Sequence, residues 1–167
     1  MKPFIEWSDA LIIGIKQIDD QHKGLVAIAN EISEGFSSGW EQDARDKTLA
    51  KLVEHAVIHF ATEESLMNVS SYPEEIAHKE HHQDLIKMIR LQVKKYQDSP
   101  EESGRELLFF VKRWLVEHIL KDDKMMGEYF LRTGVAKVAK EKRSLFGKLK
   151  NWLSLGHNAL LASGALR

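Results

Sequence analysis

Residues 59–82 read HFATEESLMNVSSYPEEIAHKEHH and place four histidines on segments whose other residues have the apolar spacing of amphipathic helices. Side chains four residues apart project from the same side of a helix, so His59 pairs with Glu63 and His78 pairs with His82. Both pairs stand on the helix face that would otherwise form an apolar core. This stretch therefore decides the fold. The chemistry of the protein depends on which partner binds the buried imidazole and carboxylate groups.

The same helical spacing continues on both sides of this stretch. Apolar residues recur at intervals of three or four in four segments, separated by GFSSGW (35–40), SSYPEE (70–75) and DSPEE (98–102). Ser71 with Glu74, and Ser99 with Glu102, predict capping boxes at two helix starts. Four helices of about 20 to 29 residues with short connections predict an all-α protein, an antiparallel up-down four-helix bundle.

The composition limits the class of protein. With 167 residues, of which 43% are hydrophobic, the chain is long enough for a domain with a sizeable core. The first residues lack the apolar run of a secretion signal, and no stretch approaches the roughly 20 apolar residues that span a bilayer. We therefore expect a cytoplasmic protein. Cysteine is absent, so a metal would have to be bound by imidazole and carboxylate groups.

The charges divide the chain into two parts. Residues 1–130 contain 16 Lys and Arg against 24 Asp and Glu, whereas residues 131–167 contain eight basic residues and only Glu141 as an acid. We expect residues 1–130 to form the bundle and residues 131–167 to form a basic C-terminal extension with an additional amphipathic helix. The alternatives for that helix are docking on the acidic bundle, a membrane surface or a protein partner. Nucleic-acid binding is not expected, because the extension lacks aromatic platforms and a folded reading motif.

Each of the four predicted helices carries at least one histidine on its inward face. These histidines are His22, His59, His78, His82 and His118. Burying so many unpaired polar groups would cost on the order of 1–3 kcal/mol each. Divalent metal ions would satisfy them together, because neutral imidazoles donate lone pairs while carboxylates offset the charge. Five imidazoles and two carboxylates exceed the four ligands of a closed zinc site, which favours two ions.

Two other metal motifs do not fit the sequence. The ferritin-like di-iron pattern needs Glu-x-x-His on two helices, and only Glu75 with His78 has that spacing with its histidine on the inward face. The His-Glu-x-x-His motif of zinc proteases does not occur in the chain. Histidine-rich ligation without sulfur suits iron, although spacing alone leaves copper, manganese and zinc open.

Five segments resemble the hemerythrin family, in particular the bacteriohemerythrins, its bacterial single-domain members. The segments are Trp7, IGIKQIDDQH at 13–22, HFATEE at 59–64, YPEEIAHKEHH at 72–82 and WLVEHILKDD at 114–123. They stand in the order and spacing of the family, and the resemblance runs from about residue 5 to residue 130. Each segment alone is a weak signal, but the five together are specific.

The resemblance implies a di-iron centre that binds dioxygen reversibly, for oxygen storage, delivery or sensing. The implied ligands are three histidines for one iron, two histidines for the other, and two carboxylates that bridge both ions together with an oxo or hydroxo group. In that order they are His78, His82 and His118; His22 and His59; and Glu63 and Asp123. The two-histidine iron would keep a coordination position open for dioxygen.

A set of apolar residues resembles the dioxygen pocket lining of the family. It consists of Leu25, Phe60, Trp114, Leu115 and Ile119. Ordinary core packing at helical spacing would also place these side chains in the interior. Both interpretations hold at once, because a dry pocket around the metals would protect them from water-driven oxidation.

One spacing disagrees with ideal helix geometry. Five residues separate His118 from Asp123, which is about 500° of rotation, so an ideal helix would direct Asp122 toward the side of His118. The resemblance favours Asp123 as the ligand. We therefore predict a local irregularity of the helix near these residues, with Asp122 as an exposed acid.

Two other functions compete with dioxygen binding. The same site in an enzyme would reduce nitric oxide or peroxide, and an interaction module would use the basic extension to report the state of the iron. The sequence supplies no dedicated acid or base near the site unless His55 serves, and it identifies no redox partner. We interpret His55, one turn before His59, as a hydrogen-bonding neighbour of the ligands, and His81 as exposed.

Overall fold

The computed structural model describes residues 2–134. A single turn of 3-10 helix at Asp9–Leu11 precedes four long helices, which are α1 (Lys16–Ser38), α2 (Gln42–Ser70), α3 (Glu75–Asp98) and α4 (Pro100–His118). A π-helical segment, Ile119–Asp123, then leads into α5 (Lys124–Thr133). Within residues 2–134 there is no strand, and no helix there is long and apolar enough to cross a membrane.

The four long helices pack as a ring in which each contacts two neighbours. Helix α1 packs against α2 and α4, and α3 packs against the same two helices. The connections are short, at residues 39–41, 71–74 and 99, so consecutive helices run antiparallel. The prediction of an all-α, antiparallel up-down four-helix bundle is confirmed. Helix α5 follows toward the C-terminus, and residues 135–167 of the predicted extension lie outside the described residues.

The residues up to Tyr129 belong to one compact unit, and a second unit begins at Phe130. The core of the first unit is built from apolar side chains at helical spacing, and full burial of a Val, Leu, Ile, Phe or Met side chain contributes about 1.5–3 kcal/mol. Those on the inward face of α2 that are fully buried are Leu49, Leu52, Ala56 and Met67. His59 and Glu63 interrupt this series, so a polar layer lies between apolar layers of the same core.

Two helix starts differ from the capping boxes expected from the sequence. Ser71 adopts a left-handed conformation, with φ 53° and ψ 50°, and its backbone N–H bonds to carbonyls in the last turn of α2. Because Ser71 closes α2, it cannot also adopt the extended conformation of an N-cap, and the predicted box with Glu74 is wrong. Ser99 does stand at the N-cap of α4, but its side chain makes no capping hydrogen bond.

Candidate metal centre

The seven side chains with metal-binding chemistry come together in the buried interior of the bundle. They form two overlapping groups, and within each group the potential ligand atoms lie within 4.8 Å of one another. One group contains three histidines and the other contains two, and both include Glu63 and Asp123. The members of the first group are Glu63, His78, His82, His118 and Asp123, and those of the second are His22, His59, Glu63 and Asp123.

Every long helix contributes to the two groups. Helix α1 supplies His22, α4 supplies His118, and two helices supply pairs four residues apart, His59 with Glu63 on α2 and His78 with His82 on α3. All seven residues are buried, with exposed fractions between 0% and 6%. The spacing that identified the pairs in the sequence therefore places them on the interior face of the bundle.

The seventh residue, Asp123, reaches the centre through the π-helical segment. Helix α4 ends at His118, and the wider turn of residues 119–123 allows His118 and Asp123 to face the same point. The Nε2 atom of His118 lies 3.0 Å from Oδ1 of Asp123. The structure thus contains the helix irregularity that was expected here.

The two carboxylates face both groups at once. Oδ1 of Asp123 lies 3.0 Å from Nε2 of His118, while Oδ2 lies 3.1 Å from Nε2 of His22 in the other group. Oε2 of Glu63 lies 3.2 Å from Nε2 of His82 and 3.7 Å from Nε2 of His59. Each carboxylate therefore stands between the three-histidine group and the two-histidine group, where a bridging ligand would be.

The polar atoms of the centre are buried without hydrogen-bond partners. Of the 13 buried side-chain N and O atoms without a partner in the described part of the chain, ten belong to the seven residues. Several of them approach one another within 3.0–3.5 Å, but their directions do not satisfy hydrogen-bond geometry. Lone pairs that point at shared positions instead of at each other are what cation binding requires. The residues present therefore fit a pair of bound metal ions.

The two carboxylates have pKa values shifted in opposite directions. Desolvation by burial, together with the charge of Asp123, raises the pKa of Glu63 well above its ordinary value. Burial alone would also raise the pKa of Asp123, but His118 and His22 outweigh it and hold this pKa well below its usual range. In the metal-free protein, a proton therefore stays more readily on Glu63 than on Asp123.

The histidines also differ in their readiness to bind a cation. Burial lowers the pKa of His59 to about 3 and that of His82 to about 2, so both rings are neutral at neutral pH. Burial acts in the same direction on His118, but the carboxylates of Asp123 and Asp122 outweigh it and raise the pKa to about 9. His118 must therefore lose a proton before its Nε2 atom can bind a metal.

Three residues make contacts that the sequence did not predict, each to the Nδ1 atom of a candidate ligand histidine, on the side of the ring away from the centre. Nδ1 of His59 lies 3.4 Å from Oε1 of Gln21, and Nδ1 of His82 lies 3.1 Å from Oε1 of Glu64. The third is Asp122, described below. Gln21 and Glu64 each stand next to a candidate ligand in the chain, and that adjacency was the only signal available from the sequence.

Asp122 corrects an expectation. It was predicted to be an exposed acid, but its side chain is only 25% exposed and its Oδ2 atom lies 3.1 Å from Nδ1 of His118. That hydrogen bond lowers the pKa of Asp122 despite the opposing effect of burial. The two adjacent acids therefore contact opposite nitrogens of one ring, with Asp122 on the outside and Asp123 on the inside.

The two remaining histidines of the bundle lie on its surface. His81 is 46% exposed, as expected, and its Nδ1 atom lies 3.0 Å from Oδ2 of Asp122. His55 is also exposed, and its ring lies beside Gly24 of α1. A Cβ atom at that glycine would lie 3.6 Å from Nδ1 of His55. No hydrogen bond or ion pair among residues 2–134 joins His55 to a candidate ligand, so its predicted role as a ligand neighbour is wrong. His55 is exposed although it lies one helical turn before the buried His59.

The residues predicted to line a dioxygen pocket are all buried, with exposed fractions of 0–4%. Phe60 packs directly on the candidate ligands, stacked on His82 at a centroid distance of 3.9 Å and edge-on to His118 at 5.3 Å. Trp114 packs edge-on against Phe60 at 6.3 Å. These aromatic side chains cover one side of the three-histidine group with an apolar wall.

Comparisons with known proteins identify the same region of the chain. A sequence profile described as Hemerythrin HHE cation binding domain matches residues 13–130, which include all seven candidate ligands. The bacteriohemerythrin of Pseudomonas aeruginosa strain LESB58 is 36% identical over 117 residues, covering 70% of this chain and 75% of that protein. The bacteriohemerythrin of Clostridium acetobutylicum is 32% identical over 122 residues, covering 71% and 95%.

The fold of a solved structure is similar as well. The crystal structure of a leucine-to-alanine mutant of hemerythrin superposes with a TM-score of 0.69 at 29% sequence identity, covering 77% of this chain and 98% of that one. The similarity in sequence and the similarity in fold therefore point to the same family.

Proposed function

The chain belongs to the hemerythrin family, and from that premise we propose that it binds dioxygen reversibly at a non-heme di-iron centre, for oxygen storage, delivery or sensing. Iron is proposed because histidine-rich ligation without sulfur suits it and because the family binds dioxygen. The observation that carries the proposal is the pair of overlapping groups of buried donors that share two carboxylates.

The proposed ligands follow the two groups. We assign His78, His82 and His118 to one ion and the remaining two histidines, His22 and His59, to the other. Glu63 and Asp123 would bridge both ions, together with an oxo or hydroxo group. When bound, the two irons supply the electrons and the coordination position that dioxygen needs. The two-histidine group offers fewer protein donors, so the open position is proposed on that side.

The chain's own contribution is to orient the donors and exclude water. The outer nitrogens of His59, His82 and His118 are hydrogen-bonded, which aims their Nε2 lone pairs at the centre. The proposed pocket lining is Leu25, Phe60, Trp114, Leu115 and Ile119. An apolar lining admits dioxygen, a small apolar molecule, while keeping out water and protons that would promote irreversible oxidation.

An enzyme that reduces nitric oxide or peroxide remains an alternative with less support. Such turnover needs a proton donor near the site, and the residue noted for that role, His55, lies on the surface. Steady consumption of nitric oxide or peroxide by the iron-loaded protein, faster than by a ligand variant such as His59→Ala, would establish it.

The roles of the two parts of the chain are also proposals. We propose that residues 1–130 are the di-iron bundle and that residues 131–167 are a basic extension for a membrane surface or a protein partner. Most of that extension lies outside the described residues. Deleting residues 131–167 should change association state or liposome binding, and an unchanged result in both would remove the interaction hypothesis. The cytoplasmic location stays a prediction of the same kind.

The experiment that tests the function is an optical titration. Protein loaded anaerobically with ferrous iron should be colourless, gain a visible charge-transfer band on exposure to dioxygen and lose it again under vacuum. Conversion to a diferric form that vacuum does not reverse would contradict reversible dioxygen binding.

A further inference from the structure

The outer partners of the buried histidines differ between the two groups. In the three-histidine group, the Nδ1 atoms of His82 and His118 each face a carboxylate, Glu64 at 3.1 Å and Asp122 at 3.1 Å. In the two-histidine group, Nδ1 of His59 faces the amide oxygen of Gln21 at 3.4 Å. Nδ1 of His22 is buried without any hydrogen-bond partner. Negative charge behind the rings is therefore confined to one half of the centre among the described residues.

The orientation of the Gln21 amide follows from its other partners. The Thr62 hydroxyl donates to the backbone carbonyl of Ile58 at 2.8 Å, so its oxygen accepts from Nε2 of Gln21 at 3.0 Å. The amide oxygen of Gln21 is consequently the atom that faces His59, and it requires a proton on Nδ1. Gln21 thus fixes the tautomer of His59 but adds no charge to it.

The two carboxylates fix the tautomer and also change the electronic character of the ring. A carboxylate that accepts a hydrogen bond from Nδ1 makes the imidazole a stronger donor through Nε2. Glu64 and Asp122 are partly buried, with side chains 34% and 25% exposed, so solvent and salt screen them less than surface charges. A more strongly donating ring stabilises the higher charge of an oxidised metal relative to the reduced one.

We propose that Glu64 and Asp122 are positioning residues that make the three-histidine half of the centre the more electron-rich half, so that the ion held there has the lower reduction potential. The inference rests on the proposed di-iron function. The first electron removed from the reduced centre then comes from the three-histidine side, and the more easily reduced ion lies on the side proposed to be open.

Three isosteric substitutions test the proposal. Asp122→Asn and Glu64→Gln remove the charge behind His118 and His82, whereas Gln21→Glu is the matched control that places a carboxylate behind His59. The measurement is an anaerobic potentiometric titration of the iron-loaded full-length chain. Asp122→Asn and Glu64→Gln should each raise the lower of the two midpoint potentials, and Gln21→Glu should lower the upper one. A tenfold change in the ratio of oxidised to reduced iron corresponds to about 59 mV for a one-electron step.

A second measurement applies to any variant that does not retain iron. In the zinc-loaded protein, the Nδ1 proton resonances of His82 and His118 should be displaced by their carboxylate hydrogen bonds. Glu64→Gln should move only the His82 resonance, and Asp122→Asn only that of His118. Neither measurement uses dioxygen. If the protein does not bind dioxygen reversibly, the midpoint potentials and the Nδ1 resonances still test the roles of Glu64 and Asp122. Unchanged midpoint potentials in iron-retaining Asp122→Asn and Glu64→Gln proteins, or unchanged resonances in their zinc forms, would overturn the proposal.

Discussion

Nε2 of His118 lies 3.0 Å from Oδ1 of Asp123, although five residues separate them along the chain. An α-helix would turn about 100° per residue and carry Asp123 past the side on which His118 points. The π-helical segment Ile119–Asp123 absorbs the extra residue and brings the carboxylate back to the centre. The adjacent Asp122 then contacts the opposite nitrogen of the same ring, at 3.1 Å from Nδ1.

Two neighbouring acids with different contacts predict different effects of the same substitution. Asp123→Asn should lose a bridging ligand and bind fewer than two ferrous ions per chain, because one amide oxygen cannot replace a carboxylate shared by two cations. Asp122→Asn should still bind two at saturation, with affinity weaker by roughly 10–100-fold, as expected when a partner of a ligand is altered. Anaerobic competition with a chelator measures both. Equal losses in the two variants would contradict the assignment of Asp123 as the ligand.

The position of the centre was predictable from the sequence because it depends on helix periodicity. His59 with Glu63 and His78 with His82 stand four apart, and any helix containing them presents each pair on one face. The choice between Asp122 and Asp123 was not predictable from periodicity alone. A π turn depends on which backbone hydrogen bonds form locally, and the resemblance to the family was needed to choose Asp123.

The hydrogen-bond partners of the histidine Nδ1 atoms were less predictable from the sequence, because they depend on how neighbouring helices are rotated about their axes. His55 lies one turn from His59, yet it faces outward. Gln21 is on α1 and contacts His59 on α2, a contact across 38 residues that no local pattern indicates. Ser71 matched a capping pattern but closes the preceding helix instead. Sequence spacing identifies a helix face, whereas side-chain partners require the packed structure.

Metal affinity should rise with pH well above the range of an ordinary histidine. His118 has a pKa of about 9 in the metal-free protein, and burial raises the pKa of Glu63, so cations compete with protons for both groups. As pH rises from 7 toward 9, His118 alone should increase the apparent affinity for Zn(II) by up to about tenfold per pH unit. Chelator competition across that range measures the effect. An affinity that levels off near pH 6.5 would contradict the raised pKa.

Glu63→Gln should separate stability from metal binding. The pKa of Glu63 is raised in the folded metal-free protein, so the stability associated with its proton is present below the unfolded value of 4.5 and decreases as pH rises. At pH 7 the buried carboxyl group of Glu63 therefore lowers the free energy of unfolding of the metal-free protein. A neutral amide has no charge to bury, so the metal-free variant should be more stable than the wild-type at pH 7 by about 1–3 kcal/mol. Urea denaturation in the presence of a chelator measures the difference.

The same variant should lose the gain in stability that metal ions give the wild-type, because it lacks the bridging charge. At pH 4, below the ordinary pKa of 4.5, the advantage of the metal-free variant should shrink, since Glu63 is then largely protonated in the unfolded state as well as in the folded state. A metal-free Glu63→Gln protein that is less stable than the wild-type at pH 7 would refute the electrostatic interpretation.

Leu25→Ala tests the role of the apolar lining. Leu25 is fully buried one turn after His22, and its truncation should admit water beside the two-histidine group. We expect the dioxygen-dependent spectrum to decay to the diferric form several-fold faster than in the wild-type. The matched control is Leu49→Ala, also fully buried but about 15 Å along α2 from His59. Both variants should lose about 2–5 kcal/mol of stability, and equal decay rates would contradict a protective lining.

The central claim is that buried histidines from all four long helices hold two iron ions. Its most direct test is the iron content of the full-length chain after anaerobic loading and removal of free metal, compared with a His59→Ala/His82→Ala double variant that removes one histidine from each group. We predict two irons per chain for the wild-type and fewer than one for the folded double variant. Two tightly held irons in the double variant would show that the centre lies elsewhere.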